Sequence, residues 1–540
     1  MFWVAHVETR RFPNKVKLKK MKRKLLYILA ACGLGFTACS DFGDLNVDPE
    51  VIDAERMDFK LMFTNVQQYA YGTEYEAWRN GLIYISTMIQ HTASVESYWN
   101  GDKYLYNPDY NAAFWDRMYP NGIRDAVDLL ENWKDDPAYA TELQMARILK
   151  VFLFHRMTDL YGDVPYFEAG KGFHELNGYP KYDTQQAIYT DMLKELQESA
   201  ENLKDKTSII GDADIIYRGD VVLWQKFAYS LMLRLGMRLS KVDQTEARTW
   251  VNAAVTGGLF ASNAESALIK HTGGVTANNS AEPFGKVYVH EDPNAYRMSE
   301  SFINLLKNTK DPRLSFLATV VEDPRIKVDE AAFSRGDTTA SKQIGLPNGY
   351  DQLEGATDID RYPLYPGSMN SYSVANRYTY AKLNAPTFLV TYAENQLLLA
   401  EAAQRGWITG SAKSYYDAGV TAAMKQFTQF DIAGISDAAI QAYLVANPFN
   451  EATALQQINT QYYINTFSDE YESFANWRRS GFPVLTPVSY IGNVTNGTIP
   501  RRFTYPVAES TVNTANYQEA VGRSSNGDAM TSRVWWDVAN

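Results

Sequence analysis

The chain has 540 residues, 45% of them hydrophobic and 21% charged, a balance that excludes disordered and fibrous classes. Its net charge of −11 understates the acidity of the body. Nine of the 52 Lys/Arg and one of the 63 acids fall in residues 1–38, leaving 43 basic against 62 acidic residues, which excludes nucleic acid as a ligand because phosphate recognition needs basic clusters.

The first element is an address. Lys22-Arg23-Lys24 precedes an apolar run from Leu25 to Phe36, and Thr37-Ala38-Cys39 follows. A basic region, a short apolar stretch and small residues before a break make a signal peptide; the run is shorter than the ~20 residues a membrane-spanning helix needs. Met21 is the expected start, with residues 1–20 an over-extension and 21–38 the signal. Cleavage before Cys39 would leave a lipid-bearing cysteine, as in a lipoprotein signal. Leu29-Ala30-Ala31-Cys32 is the competing site, but stopping there shortens the apolar region to seven residues. Cys32 and Cys39 are the only cysteines, so the mature body has no disulfide and depends on packing. Residues 39–55 read as a lipidated flexible tether, and several acyl chains on Cys39 would anchor it firmly in membrane lipid. Residues 56–540 read as one binding domain.

The body reads mostly helical. Leu143, Ala146, Leu149, Leu153, Met157 and Leu160 recur at helical spacing between Tyr139 and Leu160, and Gly162 and Pro165 stop the run. A second helix is expected from Asp183, with Gln186 as capping-box partner; a third follows Asp220. A fourth spans Thr387 to Arg405 and ends at Gly406. With the helix after it (Ala412, Tyr415, Tyr416, Ala418) it forms a hairpin of tetratricopeptide type, small residues at the contact and a Gly-containing turn between. A fifth is expected over Thr453–Phe474. Three stretches, 92–112, 262–297 and 322–386, lack a clear period, and long irregular segments of this kind usually carry function.

The stretch 92–112 holds Tyr98-Trp99-Asn100, then Tyr104, Tyr106 and Tyr110. Flat aromatic faces stack on the apolar C–H face of sugars, and neighbouring amides and acids bind the hydroxyls. Tyr98, Trp99, Asn100 and Tyr104 are therefore candidate ligand contacts. Tyr288, Asn294, Tyr296 and Arg297 are candidates for an opposing wall, Arg297 as a bidentate donor. Trp78, Trp115 and Trp224 sit in helical patterns and read as core, and His155 reads as a packed helix residue.

No nucleophile elbow, HExxH, phosphate-binding Gly-rich loop or CxxC is present. The five histidines of the mature chain do not pair at metal-ligand spacing, and Asp358-Ile359-Asp360 lacks the rest of a calcium loop. No carboxylate pair stands out for glycoside hydrolysis. The expectation is a binding protein, not an enzyme, with no metal and no cofactor.

Several stretches resemble the SusD/RagB lipoproteins: ILKVFLFHRMTDLYGDVP at 148–165, YAENQLLLAEAAQRGW at 392–407, YESFANWRRSGFPVL at 471–485, IPRRFTYPVAESTVNTANYQE at 499–519 and TSRVWWD at 531–537. The likeness is nearest to the family's divergent second branch. It implies an all-α fold of tetratricopeptide-like hairpins in a superhelical scaffold, with large loops and a few short strands on a ligand-binding face. It also implies a lipid anchor on the outer membrane, facing the exterior. The implied partner is a SusC-like, TonB-dependent barrel, over which the protein is a hinged lid, and the implied ligand is an oligosaccharide or, in some members, a peptide. Arg478, Arg501 and Arg502 fall in motifs that look structural. Two other readings compete with glycan delivery: a helical glycoside hydrolase, and an interaction scaffold without a small-molecule site.

Overall fold

The computed structural model describes residues 58–276 and 280–539. The signal segment, Cys32, Cys39 and the tether before residue 58 lie outside the described residues. The principal helices of the body are α1 (Phe59–Tyr71), α2 (Pro108–Arg117), α3 (Arg124–Trp133), α4 (Ala140–Tyr161), α5 (Gln185–Leu203), α6 (Val221–Arg238), α7 (Gln244–Gly257), α8 (Tyr392–Gln404), α9 (Ala412–Lys425), α10 (Ala454–Asn465), α11 (Glu470–Ser480) and α12 (Thr514–Arg523). Between α1 and α2 the chain winds through a π-helical stretch, Ala77–Ser86.

Local chemistry sets most helix ends. Gly162, at φ +85°, closes α4. Asp220 caps α6 by accepting from the Val222 and Leu223 N–H groups. The second helix departs from expectation. It starts at Gln185, where the Thr184 hydroxyl accepts from Ala187 N–H. The Asp183 carboxylate is drawn away by the Tyr166 and Phe167 N–H groups, at 3.0 and 2.9 Å, so the Asp183–Gln186 capping box does not form.

Two longer expectations also change. Thr387–Val390 is a strand, and α8 begins only after Thr391, whose hydroxyl accepts from Glu394 N–H. Thr-Phe-Leu-Val is a β-branched and aromatic run that suits a pleated partner. The helix expected over Thr453–Phe474 is two, α10 and α11. Ser468 between them sits at φ +73°, which right-handed helix cannot contain.

Among the described residues, six short strands form three antiparallel pairs. β1 (Thr92–Ala93) pairs with β3 (Arg297–Met298), β2 (Ala267–Ile269) with β6 (Thr387–Val390), and β4 (Ala318–Thr319) with β5 (Val374–Ala375). These pairs staple the irregular segments to the helical scaffold.

Neighbouring helices pack as hairpins: α3 on α4, α5 on α6, α6 on α7, and α8 on α9. The α8–α9 approach depends on Gly419, where a Cβ would stand 2.8 Å from Leu397 Cδ2 and 3.1 Å from its backbone nitrogen. Phe59–Asn540 forms one compact unit. Among the described residues no helix is long and apolar enough to cross a membrane.

The interior is ionic as well as apolar. Arg479 of α11 grips Glu401 of α8 through two bonds of 2.7 and 2.8 Å. Arg234 of α6 grips Glu394 of α8 at 2.6 and 2.7 Å, and Arg238 bonds Glu472 of α11. All six side chains are buried, and a charge so placed is tolerated only when paired. Burial pushes the Glu401 carboxyl up, but the Arg479 charge and its hydrogen bonds outweigh that and hold it well below the usual range. The stretches 392–407 and 471–485 therefore meet in space. Arg478 donates to the Arg501 carbonyl, Arg501 to Asp537 and Arg502 to Asp528, all structural roles. His155 is packed in α4, its pKa driven well below the usual value by burial and then by Arg234, Arg156 and Arg238. Trp224 and Trp115 are buried in the core; Trp78 is only partly so.

Candidate functional site

The β1–β3 pairing decides what faces the aromatic loop. Thr92 registers with Met298 and Ala93 with Arg297, so the chain after β1 runs beside the chain before β3. The loop folds around Lys103, which is 1% exposed and donates to the carbonyls of Ser94 and Trp99 and to Asp102. Asp102, also buried, accepts from the N–H groups of Ser94 and Gly349. Gly101 has to be glycine: a Cβ there would lie 2.2 Å from the Ile83 carbonyl oxygen.

Asp292 is the hub of the surface above this loop. It accepts from Trp99 Nε1 at 2.7 Å and from the Tyr98 hydroxyl at 3.0 and 3.1 Å. The Trp78 indole N–H faces the same carboxylate without meeting hydrogen-bond geometry. Burial raises the Asp292 pKa, and the three facing donors oppose the rise. The Tyr98 hydroxyl is driven up first by burial and then by the Asp292 charge, and so stays a protonated donor.

The expected contacts come together, but mostly as a packed layer. Trp99 is fully buried and stacks on Tyr296 at 6.1 Å and 23°; Tyr296 in turn meets Tyr288 at 4.4 Å. Arg297 is buried and spends its guanidinium on the carbonyls of Asn294, Tyr296 and Met369, so it is not presented as a bidentate donor. Tyr104 is buried in a left-handed turn at φ +52°, its hydroxyl accepting from Val488 N–H. Asn100 is 9% exposed, and its Oδ1 has no hydrogen-bond partner among the described residues. Of the eight, Tyr98 alone presents a ring to solvent, at 41% exposure; Asn294 is also exposed, its carbonyl held by Arg297. Aromatics are drawn inward here because Trp99, Tyr104, Tyr288 and Tyr296 join the main hydrophobic core, a feature that composition does not reveal.

Residues outside the expected set complete the surface. Trp78 and Arg79 come from the π-helical stretch, and Tyr110 from α2; Asn80 ties the two by donating to the Tyr110 carbonyl at 2.7 Å. The charges of Arg79 and Asp292 both act on the Tyr110 hydroxyl. Arg79 and Arg117 stand over the ring of Tyr75 at 3.9 and 4.5 Å, so that ring is already occupied. The Arg79 guanidinium also lies 5.5 Å from the Trp78 ring, so Tyr98 remains as the open stacking face, with Asp292 as acceptor and Arg79 as donor beside the partly exposed Trp78. The helical spacing that marked Trp78 as core concealed it; the adjacent Arg79 was the available signal.

A family model described as starch-binding and associating with the outer membrane matches residues 53–506. The chain belongs to this SusD-like family. Its fold matches a solved chitin-binding protein at 33% identity and TM-score 0.78, covering 89% of this chain and all of that one. A Bacteroidetes SusD-like structure matches at 26% identity and TM-score 0.78 over the same shares. A chitin-binding SusD homolog from Flavobacterium johnsoniae matches at 24% identity and TM-score 0.71, over 89% and 98%, which speaks for the fold. No curated protein sequence matches. Membership places this SusD-like chain among outer-membrane-associated binding proteins with glycan ligands, and the helical-hairpin fold expected from the sequence is the one observed.

Proposed function

We propose that this SusD-like protein captures an oligosaccharide on the Tyr98–Trp78–Asp292 surface and delivers it to a SusC-like, TonB-dependent barrel. The observation that carries this is the exposed Tyr98 ring, pinned by Asp292 beside a partly exposed indole. A pre-set aromatic face beside a carboxylate and a guanidinium suits a ring with one apolar face and hydroxyls on its rim. Trp99, Tyr288, Tyr296, Tyr104 and Arg297 hold that face from behind, and the Asn100 Oδ1 is buried with them. The 33%-identical chitin-binding relative makes β-1,4-linked N-acetylglucosamine oligomers the first ligands to test.

Acylation of Cys39 fixes the protein to the outer leaflet, facing outward. The role is binding and delivery without turnover of the glycan.

Calorimetry with the chitin hexamer tests the ligand: Tyr98→Ala is expected to weaken binding about tenfold, one stacked aromatic being worth about 1.4 kcal/mol. Unchanged affinity in Tyr98→Ala removes this surface from the function. Binding of peptides in place of every glycan tried keeps the transport role and rejects the ligand. Labelling with radioactive palmitate, lost in Cys39→Ala, and copurification of a barrel test the anchor and the partner.

A further inference from the structure

The other end of the aromatic loop opens on a separate cavity of about 430 Å³. Tyr106 of the loop forms one wall, with Val494 beside it. Tyr505 and Val507 form another, and Tyr517 of α12 and Asp528 close it. The size lies within the range of small-molecule sites. Tyr98 and Asp292 take no part in it.

The cavity is a built feature. Asn111 of α2 fixes its floor by clamping Thr504: the Asn111 amide donates to the Thr504 hydroxyl at 2.9 Å, and its oxygen accepts from the Thr504 N–H at 3.0 Å. Tyr505 is buried edge-on against Tyr517, ring centroids 5.9 Å apart at 77°, and its hydroxyl is anchored on the Asp163 carbonyl. The Asp528 carboxylate is oriented by the Tyr505 N–H and by the Tyr517 hydroxyl at 3.2 Å. Tyr106, by contrast, is 40% exposed, and Val494 and Val507 are exposed by 53% and 61%. Rigid polar groups at the back and open apolar groups at the mouth suit a ligand with an apolar face and hydrogen-bond donors.

Charge chooses between the two ligand classes that tyrosines and a carboxylate can serve. A cation would use the rings and the carboxylate together. That role is already filled, because Arg502 pairs with Asp528 at 3.2 Å and its guanidinium lies 4.5 Å from the Tyr505 centroid. What remains is uncharged: ring surface, aliphatic walls, and the outer lone pairs of Asp528 and Ser510 as acceptors.

We infer that this cavity is a second carbohydrate subsite, which takes a neutral sugar unit with hydroxyl or acetamido N–H groups turned to Asp528 and its apolar face against Tyr106. It lies across the aromatic loop from the Tyr98 surface. It extends the binding role proposed above, but occupies different residues and is read out separately.

The test uses the purified protein with fluorotyrosine in place of tyrosine. The signals of Tyr98, Tyr106 and Tyr517 are assigned by single Tyr→Phe variants, and the probes are the chitin dimer, the chitin hexamer, maltohexaose and tetramethylammonium. Saturable shifts of the Tyr106 and Tyr517 signals with a sugar are expected, together with a roughly tenfold loss of hexamer affinity in Tyr106→Ala that Tyr106→Trp restores. If a sugar moves Tyr98 alone, the second subsite is rejected and the first stands. If it moves Tyr106 and Tyr517 alone, the cavity stands and the Tyr98 surface loses its role. Shifts with tetramethylammonium and none with any sugar make the cavity a cation site and overturn the inference, as does silence at Tyr106 and Tyr517 toward every probe.

Discussion

Trp99 and Asp292, 193 positions apart in the chain, are joined by an indole N–H donating across 2.7 Å to a carboxylate oxygen. The same carboxylate receives the Tyr98 hydroxyl, so one acid holds one buried and one exposed aromatic of consecutive positions. Asp292→Ala removes the acceptor and leaves the Trp99 N–H without a partner. A loss of about 1–3 kcal/mol is expected in urea denaturation, with chitin hexamer affinity reduced at least fivefold. Unchanged stability would mean that the loop stands without this hub.

Tyr98 and Trp99 are expected to separate cleanly. Trp99→Ala opens a hole behind the site and costs about 3–5 kcal/mol, read as a large fall in the denaturation midpoint. Tyr98→Ala removes an exposed ring and leaves stability within about 1 kcal/mol of the parent while binding weakens. A Trp99→Ala protein of full stability would contradict the packing described for this loop.

Arg479→Ala leaves the buried Glu401 carboxylate with Arg405 at 2.8 Å and Asn459 at 3.0 Å as its remaining partners. Stability is expected to fall by about 1.5–3 kcal/mol, the worth of the charge-assisted hydrogen bonds removed. The double variant Arg479→Met with Glu401→Leu, which replaces both charges by apolar groups, is expected to recover much of that loss. Equal losses in the single and double variants would show that the pair does not act as a unit.

Glu282 supplies a pH test. It is 4% exposed and has no ion-pair partner among the described residues; its carboxylate accepts from Gly285 N–H and the Thr387 hydroxyl. Burial pushes its pKa up to about 7, against the opposing pull of those donors. His271, beyond Thr387, is held down to about 4 by burial, so it stays neutral above that pH. A raised carboxyl pKa favours the folded state while protonated: this contribution is complete below about pH 4.3, the unfolded value, and is lost as pH rises through 7. Glu282→Gln has no such loss. Relative to wild type it should gain up to about 3 kcal/mol between pH 5 and pH 8, measured by urea denaturation at both. A constant difference across that range would place the Glu282 pKa near its ordinary value.

Much of the scaffold is legible in the sequence. The α4 helix ends where Gly162 is, α6 starts where Asp220 is, and the α8–α9 hairpin turns after Gly406, because caps and apolar spacing act over a few residues. The errors came where distant chain competes with local preference. Asp183 is diverted from capping by Tyr166 and Phe167, and Thr387–Val390 becomes a strand because Ala267–Ile269 lies beside it. The left-handed Ser468 splits one expected helix into two.

The candidate site was legible as a neighbourhood and not as a surface. The aromatic loop and the 288–297 segment do meet, yet Trp99, Tyr288 and Tyr296 face one another, and Arg297 is consumed by carbonyls. Tyr98 remains outside. Trp78, marked only by the adjacent Arg79, and the Tyr106 cavity stayed hidden, since an aromatic in a helix or a loop has the same letter whether it faces core or solvent.

By itself the sequence determined the acidic, disulfide-free body, the helical hairpins and the family, because composition, capping and motif spacing are written locally along the chain. Which aromatics are offered to a ligand was decided only by tertiary structure. The two-residue β1–β3 pairing and the Asp292 carboxylate join segments about two hundred residues apart, and burial is a property of that meeting, not of either segment alone.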